Sequence, residues 1–229
     1  MCNLYSNLTS QEAMRQLFDV PVADDHLGNA APLPSIYPKG AAPVVRLGPD
    51  GERELVKMSW GFRTPKVSKK TGKPIKPAAW NNARDDKLHT GLWKSSFQQR
   101  RCLVPASSFC ESKGRNPATH YWFGMASDDL DERPPFAFAG FWRDEYDDLA
   151  VDAQGLSTYT IITTTANELV KPVHPQRMPV ILAAEEYEEW LFGSSENVGR
   201  LLKPFPSEHM RVVGQGVGMK ADDPARTPV

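Results

Sequence analysis

The sequence has few cysteines, no long apolar run and almost no net charge, and each shortage excludes a class of protein. Three cysteines among 229 residues, none forming a C-x-x-C pair, exclude a disulfide framework and a zinc knuckle. No stretch approaches the ~18–20 continuous apolar residues of a transmembrane helix, and no basic segment followed by an apolar run marks a secretory signal. A P-loop is also absent, and Cys102, Cys110 and His120 lack the spacing of zinc ligands, so we expect no nucleotide cofactor and no metal. These features favour the reducing cytoplasm.

The net charge of −1 conceals an uneven distribution along the chain. Between Trp60 and His120 there are 13 Lys and Arg against three acidic residues, a local net charge of +10, which leaves −11 for the remainder. The most basic stretch contains six cations and no acid: Arg63, Lys66, Lys69, Lys70, Lys73 and Lys76. A segment of this kind suits a polyanion such as nucleic acid. The alternative is a solvated basic loop whose charges lie apart in the folded protein.

The apolar pattern predicts a single α+β domain over residues 1–229, with a mainly antiparallel β core and peripheral helices. The clearest strand, Thr158 to Thr165, alternates and is rich in β-branched residues. Helices are expected from a capping box at Thr9–Glu12 to about Phe18, around 92–99 and over 184–192. These helices would pack around the strands.

Three segments lack a periodic pattern and are expected to be irregular. They are the Pro-, Gly- and Ala-rich stretch from Pro21 to Pro43, the Lys/Gly/Pro segment from Thr64 to Pro77, and a C-terminal tail over residues 214–229.

Cys2 follows the initiator Met1, and this position gives it chemistry that an internal cysteine lacks. A small residue at position 2 normally allows Met1 to be removed, which leaves an α-amine and a thiol on adjacent carbons. The amine titrates near ~7.7–8.0 and the thiol near ~8.5, so both are partly active at neutral pH. Together they can condense with an aldehyde, first as a Schiff base and then as a thiazolidine. The alternative is a small residue in a frayed terminus.

Three further segments place polar residues in apolar or strand-flanking surroundings: Trp80–Arg84, Arg101–Glu111 and Val173–Leu182. Glu111 ends a predicted strand, where it could act as a general acid–base or pair with a nearby cation. His174 precedes a proline and could either carry a proton or form a turn. The neutral amide of Asn82 either positions a reacting group or forms a turn.

Taken together, these features resemble the SOS-response-associated peptidase (SRAP) family, which senses abasic sites in DNA. The resemblance covers nearly the whole chain, and its landmarks occur in the family order. They are Met1-Cys2, Trp60-Gly61, Asn82-Ala83-Arg84, the Arg-Cys-Leu-x-Pro-Ala…Phe-x-Glu run ending at Glu111, Thr163–Asn167, and His174…Met178-Pro179. The resemblance implies an SRAP-like fold and a monomer that acts on single-stranded DNA, associated with the nucleoid in a prokaryote.

The resemblance also implies roles for particular residues. Cys2 would capture the open-chain aldehyde of the abasic sugar as a thiazolidine and so shield the lesion. Glu111 would protonate the sugar ring oxygen and help to reverse the cross-link, in a lyase-like manner. His174 would carry the proton that Schiff-base formation releases, and Asn82 would position the amine or a sugar hydroxyl. The family name implies self-removal of whatever precedes the cysteine, which here is Met1 alone.

The same resemblance implies a DNA-binding surface. Arg84 and Arg177 are candidates for clamping phosphates, because a guanidinium matches two phosphate oxygens. Trp60, beside Gly61, would stack on a base or instead belong to the core. Lys69 and Lys70 would contact the backbone beyond the lesion.

The sequence departs from the commonest family pattern at three places. Asn3-Leu4 stands where many members have Gly-Arg, so a phosphate-binding arginine is missing at the terminus. Ser112 stands where a tryptophan is frequent, and His174 lies five positions before Pro179, one more than usual.

Two other functions remain compatible with these residues. One is an N-terminal-nucleophile thiol hydrolase that acts on peptides through Cys2, His174 and Glu111. The other is a non-catalytic nucleic-acid module that uses the basic stretch and Trp60, in which Cys2 would be dispensable.

Overall fold

The computed structural model describes residues 2–143, 155 and 157–224. Met1, residues 144–154, Leu156 and the last five residues, 225–229, lie outside the described part. The strands, in chain order, are β1 (Tyr5–Asn7), β2 (Leu33–Ile36), β3 (Ala41–Leu47), β4 (Arg53–Trp60), β5 (Phe62–Val67), β6 (Pro74–Trp80), β7 (Asn82–Arg84), β8 (Arg101–Ala106), β9 (Ser108–Lys113), β10 (Thr119–Met125), β11 (Phe136–Arg143), β12 (Thr158–Thr165), β13 (Arg177–Pro179), β14 (Ile181–Leu182) and β15 (Met210–Val217). The α-helices are α1 (Gln11–Leu17), α2 (Lys94–Gln99) and α3 (Tyr187–Phe192).

The largest sheet closes on itself. Its strands pair in the order β12–β4–β3–β8–β11, and β11 pairs again with β12, so that these five strands form a ring. All ring pairings are antiparallel except that of β12 with β4. The short strand β7 extends the ring and also runs parallel to β12. A second, antiparallel sheet has the order β15–β10–β9–β1–β2.

Side chains alternate between two apolar clusters along the ring strands, as a period of two residues requires. Val45 and Ile162 pack with residues of all three helices in one cluster. Their neighbours Val44 and Ile161 pack in the other cluster, together with Tyr5 of the second sheet. The ring therefore lies between a helical layer and the second sheet, and the predicted α+β architecture with a mainly antiparallel core is confirmed. None of the helices in the described residues is long and apolar enough to cross a membrane.

The prediction of a capping box at Thr9 was wrong by one residue. Ser10 is the N-cap of α1, and its hydroxyl accepts a hydrogen bond from the Ala13 amide at 3.2 Å. The expected irregular stretch from Pro21 to Pro43 was wrong in its second half, because β2 pairs with β1 and β3 pairs with β4 and β8. Tertiary pairing overrides the Pro-rich composition there.

Two further segments are more regular than their composition indicates. Thr64 to Pro77 contains the paired strands β5 and β6, which we call the basic arm together with their turn (residues 62–80). The irregular tail expected from residue 214 was also wrong at its start, because β15 continues to Val217 along β10. Met219 packs directly over Gly214. This is possible because glycine has no Cβ, which would lie 2.9 Å from the Met219 methyl group.

Candidate active site

Cys2 is held in the second core cluster rather than in a frayed terminus. It is fully buried, and its carbonyl oxygen accepts hydrogen bonds from Asn82 Nδ2 at 2.7 Å and Asn81 Nδ2 at 3.2 Å. Its thiol donates to the Leu4 carbonyl at 3.4 Å, and this carbonyl also accepts from the Cys110 amide at 2.9 Å. The segment before β1 is therefore anchored from both sides, which orients the residue that carries the reactive groups.

The environment of the Cys2 thiol opposes ionisation. Burial raises its pKa well above the ordinary value, because a thiolate would lose its hydration, and the nearby Glu111 carboxylate raises it further. The thiol is therefore protonated at neutral pH in this conformation. A reaction that uses the sulfur as a nucleophile needs a base beside it to accept the proton.

Glu111, whose charge acts on the Cys2 thiol, is the candidate for that base. It lies on β9, next to Cys110, whose amide is bonded to Leu4, and opposite Tyr121 of β10. Burial raises the pKa of the Glu111 carboxyl to about 7, because the charged form loses hydration there. A carboxyl that titrates near neutral pH can both donate and accept a proton under working conditions, as general acid–base catalysis requires.

The amide of Asn82 is brought to Cys2 by β7, which pairs with β12 through Ile161. Its Nδ2 holds the Cys2 carbonyl, while its Oδ1 is buried without a hydrogen-bond partner among the described residues. Asn81, which sequence reasoning passed over, supports the same carbonyl and also donates to Asn3 Oδ1 at 2.9 Å. Its identity as a second adjacent amide was the signal available in the sequence.

The wall behind Cys2 is aromatic. Trp60 is fully buried, and its indole nitrogen donates to the Asn81 carbonyl at 2.8 Å. Its ring meets Tyr5 edge to face, with centroids 5.1 Å apart. In this structure Trp60 therefore takes the core role that the sequence left open. The hydroxyls of Tyr5 and Tyr159 are 2.5 Å apart, and burial raises the pKa of both phenols; neither tyrosine was singled out from the sequence.

His174 lies in the loop before β13 and is half-buried. Its Nδ1 is 2.8 Å from the Arg177 carbonyl oxygen and 3.2 Å from the Arg177 amide nitrogen, which fixes the ring orientation. Its own amide donates to Val170 at 2.9 Å. Burial lowers the pKa of the imidazole, so the neutral form is favoured at pH 7. A neutral imidazole can accept a proton during the reaction.

The two candidate phosphate-binding arginines are paired with aspartates. Arg84 is exposed and makes two hydrogen bonds of 2.8 Å to Asp86. Arg177 is largely buried, pairs with Asp85 at 2.8 Å, and also donates to the carbonyl of Thr163. An exposed pair is weak and can exchange for a phosphate, whereas the Arg177 interactions stabilise the loop that carries His174.

The basic arm begins and ends at the site. Gly61 has φ = +117° and donates to the Tyr159 carbonyl at 2.7 Å, which turns the chain from the ring into the arm. The arm returns at Asn81, beside Cys2. Lys69 and Lys70 are exposed in its turn, where the Lys70 amide donates to Ser68 Oγ at 3.3 Å. Trp80, at the base of the arm, is 49% exposed.

The unusual residues after Cys2 also have structural roles. Leu4 is buried in a small apolar cluster with Cys110, Trp122 and Val213. Asn3 accepts the hydrogen bond from Asn81. An arginine at position 4 would bury a charge in this cluster, which explains why an apolar residue fits the position here.

Comparisons with known proteins identify the family of this chain. A protein-family model described as SOS response associated peptidase (SRAP) matches residues 1–218. Two relatives from Bacillus subtilis (strain 168) are named abasic site processing protein YoqW and abasic site processing protein YobE, and each is 30% identical over 220 residues. The match to YoqW covers 92% of this chain and 90% of YoqW. The match to YobE covers 92% of each chain.

Solved structures share the fold. A protein from Bordetella bronchiseptica superposes with a TM-score of 0.70 at 24% identity, covering 94% of this chain and 99% of the other. A protein from Bacteroides thetaiotaomicron also gives a TM-score of 0.70, at 21% identity and with full coverage of both chains. At these identities the likeness concerns the arrangement of the strands and helices.

Proposed function

Since this chain belongs to the SOS response associated peptidase (SRAP) family, we propose that it processes abasic sites by cross-linking covalently to them in single-stranded DNA. The names of the two Bacillus relatives support the lesion. The observation that carries the chemistry is the convergence of Cys2, Glu111 and Asn82 at one buried point. There the Glu111 carboxyl can exchange a proton with the Cys2 thiol, and the Asn82 amide orients the Cys2 backbone.

The reaction begins with ring opening of the abasic sugar. The bond between C1′ and the ring oxygen O4′ breaks as the C1′ hydroxyl proton is lost and O4′ gains a proton, which leaves an aldehyde. Glu111, with a pKa of about 7, is protonated in a substantial fraction of molecules at neutral pH and donates the proton to O4′. Its carboxylate form then accepts protons in later steps.

Capture uses both nucleophiles of Cys2. The α-amine nitrogen adds to C1′, water leaves, and a Schiff base forms; the sulfur then adds to the same carbon and closes the thiazolidine. The thiol proton passes to the Glu111 carboxylate and from it to the imine nitrogen, which becomes the ring N–H, so the overall change is aldehyde plus aminothiol giving thiazolidine plus water. Asn82 and Asn81 hold the Cys2 carbonyl, which restricts rotation of the amine and thiol relative to C1′.

Proton release and DNA binding involve the surrounding residues. His174, favoured in its neutral form, accepts the proton that the amine nitrogen loses as it adds to C1′ and returns it to the hydroxyl that leaves as water. Arg84 exchanges Asp86 for a phosphate, while Arg177 keeps the His174 loop in place. Lys69 and Lys70 attract the strand through the exposed arm. Trp60 and Gly61 do not contact the DNA in this proposal. Trp60 supports Asn81 through its indole hydrogen bond, and Gly61 sets the direction in which the arm leaves the ring.

The amine of Cys2 is reactive only after Met1 is removed, because until then its nitrogen belongs to a peptide bond. We assign self-processing, where it occurs, to this step. Mass spectrometry of the Glu111→Ala protein tests it. Retention of Met1 in this variant alone supports self-processing, whereas removal in both proteins assigns the step to an ordinary methionine aminopeptidase.

The decisive experiment mixes the Met1-free protein with a single-stranded oligonucleotide that contains one abasic site, followed by a denaturing gel. We expect a heat-stable shifted band with the wild type and none with Cys2→Ala. Cys2→Ser keeps the amine but cannot form a thiazolidine, so its band should appear only after borohydride reduction of the Schiff base. An oligonucleotide with a tetrahydrofuran spacer, which has no aldehyde, is the matched control.

The absence of a band from the wild type, with the amine confirmed free, would refute the proposal. Peptide turnover that depends on Cys2 would then indicate the thiol hydrolase. Unchanged DNA binding by Cys2→Ala, without any covalent product, would indicate the non-catalytic module.

A further inference from the structure

A cavity of about 570 Å³ opens beside Glu111 and has no residue of the basic arm in its lining. Glu111 lines this cavity and also belongs to the reacting centre, by which we mean Cys2, Asn82 and Glu111, so the cavity adjoins that centre. Chain segments that are distant in sequence form its walls, including Tyr37 after β2, His120 on β10 and Lys220 after β15. A volume in the range of ~300–1,000 Å³ is typical of pockets that bind small organic groups.

The lining combines the three kinds of group that a nucleotide needs. The ring of Tyr37 is 44% exposed, and its hydroxyl donates to the Lys220 carbonyl at 3.0 Å, which holds this aromatic surface in place. Aromatic faces stack on any base. Lys220 adds a cation of the kind that contacts phosphate, and Asn3 and Ser112 add hydrogen-bonding groups.

His120 supplies a further indication that a ligand is accommodated here. Its ring lines the cavity, yet its Nδ1 atom is buried and has no hydrogen-bond partner among the described residues. A buried polar atom in this state costs free energy. A base edge or a sugar hydroxyl that reaches this nitrogen from the cavity would supply the missing hydrogen bond.

Glu111 does not exclude a phosphate from this place. Because burial raises its pKa to about 7, the carboxyl is neutral in a substantial fraction of molecules at physiological pH. In those molecules Glu111 does not repel a phosphate that is bound near Lys220.

We propose that this cavity binds the nucleotide immediately next to the abasic sugar, with its base on Tyr37 and its phosphate near Lys220. The inference rests on the proposed function, since it places the abasic sugar at Cys2 and Glu111. The strand then has two unlike flanks, one following the basic arm and the other entering the cavity. Binding of a neighbouring nucleotide would position C1′ against Cys2 without contact to a base at the lesion itself.

The test compares four single-stranded oligonucleotides: an internal abasic site, an abasic site at the 5′ end, one at the 3′ end, and an internal site whose neighbour is a tetrahydrofuran spacer. The spacer is placed on whichever side the two truncated oligonucleotides show to be required by the wild type. Cross-linking rates are measured for wild type, Tyr37→Ala, Tyr37→Phe and Lys220→Met. Lys94→Met, on α2 at the helical side of the ring, is the matched control for a lost exposed cation.

We expect Tyr37→Ala to slow cross-linking of the internal site by about tenfold, and Tyr37→Phe, which keeps the ring, to change it little. The effect of Tyr37→Ala should vanish with the spacer, because the base it contacts is already missing. Lys220→Met should slow every oligonucleotide that retains the neighbouring phosphate, more than Lys94→Met does. Thermal melting of each variant excludes unfolding as the cause.

Equal slowing of the internal-site and spacer oligonucleotides by Tyr37→Ala, or no slowing of either, would overturn the proposal. Failure of the cross-linking chemistry would look different, because the wild type would then react with none of the four. In that case, fluorescence anisotropy with spacer-containing oligonucleotides still tests the cavity, since binding does not require an aldehyde. Equal affinity of wild type and Tyr37→Ala for an oligonucleotide with an intact neighbour would refute it there.

Discussion

The reacting centre and the basic arm meet at Asn81, yet they hold their charged groups in opposite ways. At the centre Cys2 and Glu111 are buried, and the loss of hydration raises the pKa of both groups. The arm carries six cations, no acid and several exposed side chains. The proposed chemistry at the centre therefore depends on desolvation and should resist salt, whereas the proposed attraction of DNA by the arm should be screened by ions.

The largest effect is expected from Glu111→Gln. This variant keeps the shape of the side chain but cannot transfer a proton, so the cross-linking rate should fall by about 10²–10⁴-fold. The part of the pH dependence that Glu111 causes near 7 should disappear as well, which leaves the rise in rate that deprotonation of the Cys2 amine causes at higher pH. Single-turnover rates between pH 5.5 and 8.5 check this. A variant that retains the wild-type pH profile would show that another group transfers the proton.

The two tryptophans at the ends of the arm should respond differently to truncation. Trp60 is fully buried, so Trp60→Ala should destabilise the fold by about 3–5 kcal/mol. Trp80 is 49% exposed and held by a hydrogen bond from its indole nitrogen to Thr64 Oγ1 at 2.9 Å. We predict that Trp80→Ala leaves stability nearly unchanged and weakens single-stranded DNA binding by ~1–3 kcal/mol, the stacking energy of one base.

Urea denaturation and fluorescence anisotropy measure the two quantities for each tryptophan variant. Trp80→Phe, which keeps an aromatic face, is the matched control. A loss of DNA affinity in Trp60→Ala at full folded population, with none in Trp80→Ala, would return the stacking role to Trp60.

Removing the charge of Glu111 should also stabilise the protein above neutral pH. A carboxyl whose folded pKa is raised binds its proton more tightly in the folded state, so stability is lost as pH rises from about 4.5 toward 7. Glu111→Gln has no charge to bury. Its free energy of unfolding should therefore exceed that of the wild type at pH 8 by on the order of 3 kcal/mol and differ little from it at pH 4. Urea denaturation at both values checks this, and a variant less stable than wild type at pH 8 would contradict it.

The smallest effect concerns salt dependence. Replacing Lys69 and Lys70 by alanine should reduce the slope of log affinity against log salt concentration by about 1.4, since each contact with single-stranded DNA contributes ~0.7. The rate of the chemical step with DNA bound should not change. Lys94→Ala is the control on the helical side. An unchanged slope would show that the tip of the arm does not touch the strand.

Local sequence patterns predicted those features that depend on neighbouring residues. Thr158–Thr165 forms β12 with the predicted bounds, because alternation of β-branched residues is a local property. The basic arm was taken for a loop, since its strands are defined by pairing across a turn rather than by apolar alternation. Strands β1 and β7 were missed for the same reason, being three residues long and defined by their partners.

The sequence allowed prediction of the candidate reacting residues, but not of the residues that hold them in place. Cys2, Asn82 and Glu111 could be selected because their functional groups suit the reaction. Asn81 and the pair of Tyr5 and Tyr159 could not, because their roles depend on which side chains the closed ring brings within hydrogen-bonding distance. Burial of Trp60 and exposure of Trp80 are likewise properties of the assembled sheet, which an isolated tryptophan in the sequence does not reveal.

The attachment of the arm has a consequence for how such a protein can diversify. Gly61, where the arm leaves, donates to Tyr159, and Asn81, where it returns, accepts from the Ile161 amide at 3.2 Å; the two anchors are two residues apart on β12. Because these anchors hold Asn82 and Cys2 to the ring, insertions, deletions or charge changes in the exposed part of the arm, residues 65–77, should leave both residues in place. On the proposed function, the arm is an exchangeable module, and related proteins could differ in nucleic-acid preference while keeping the same chemistry.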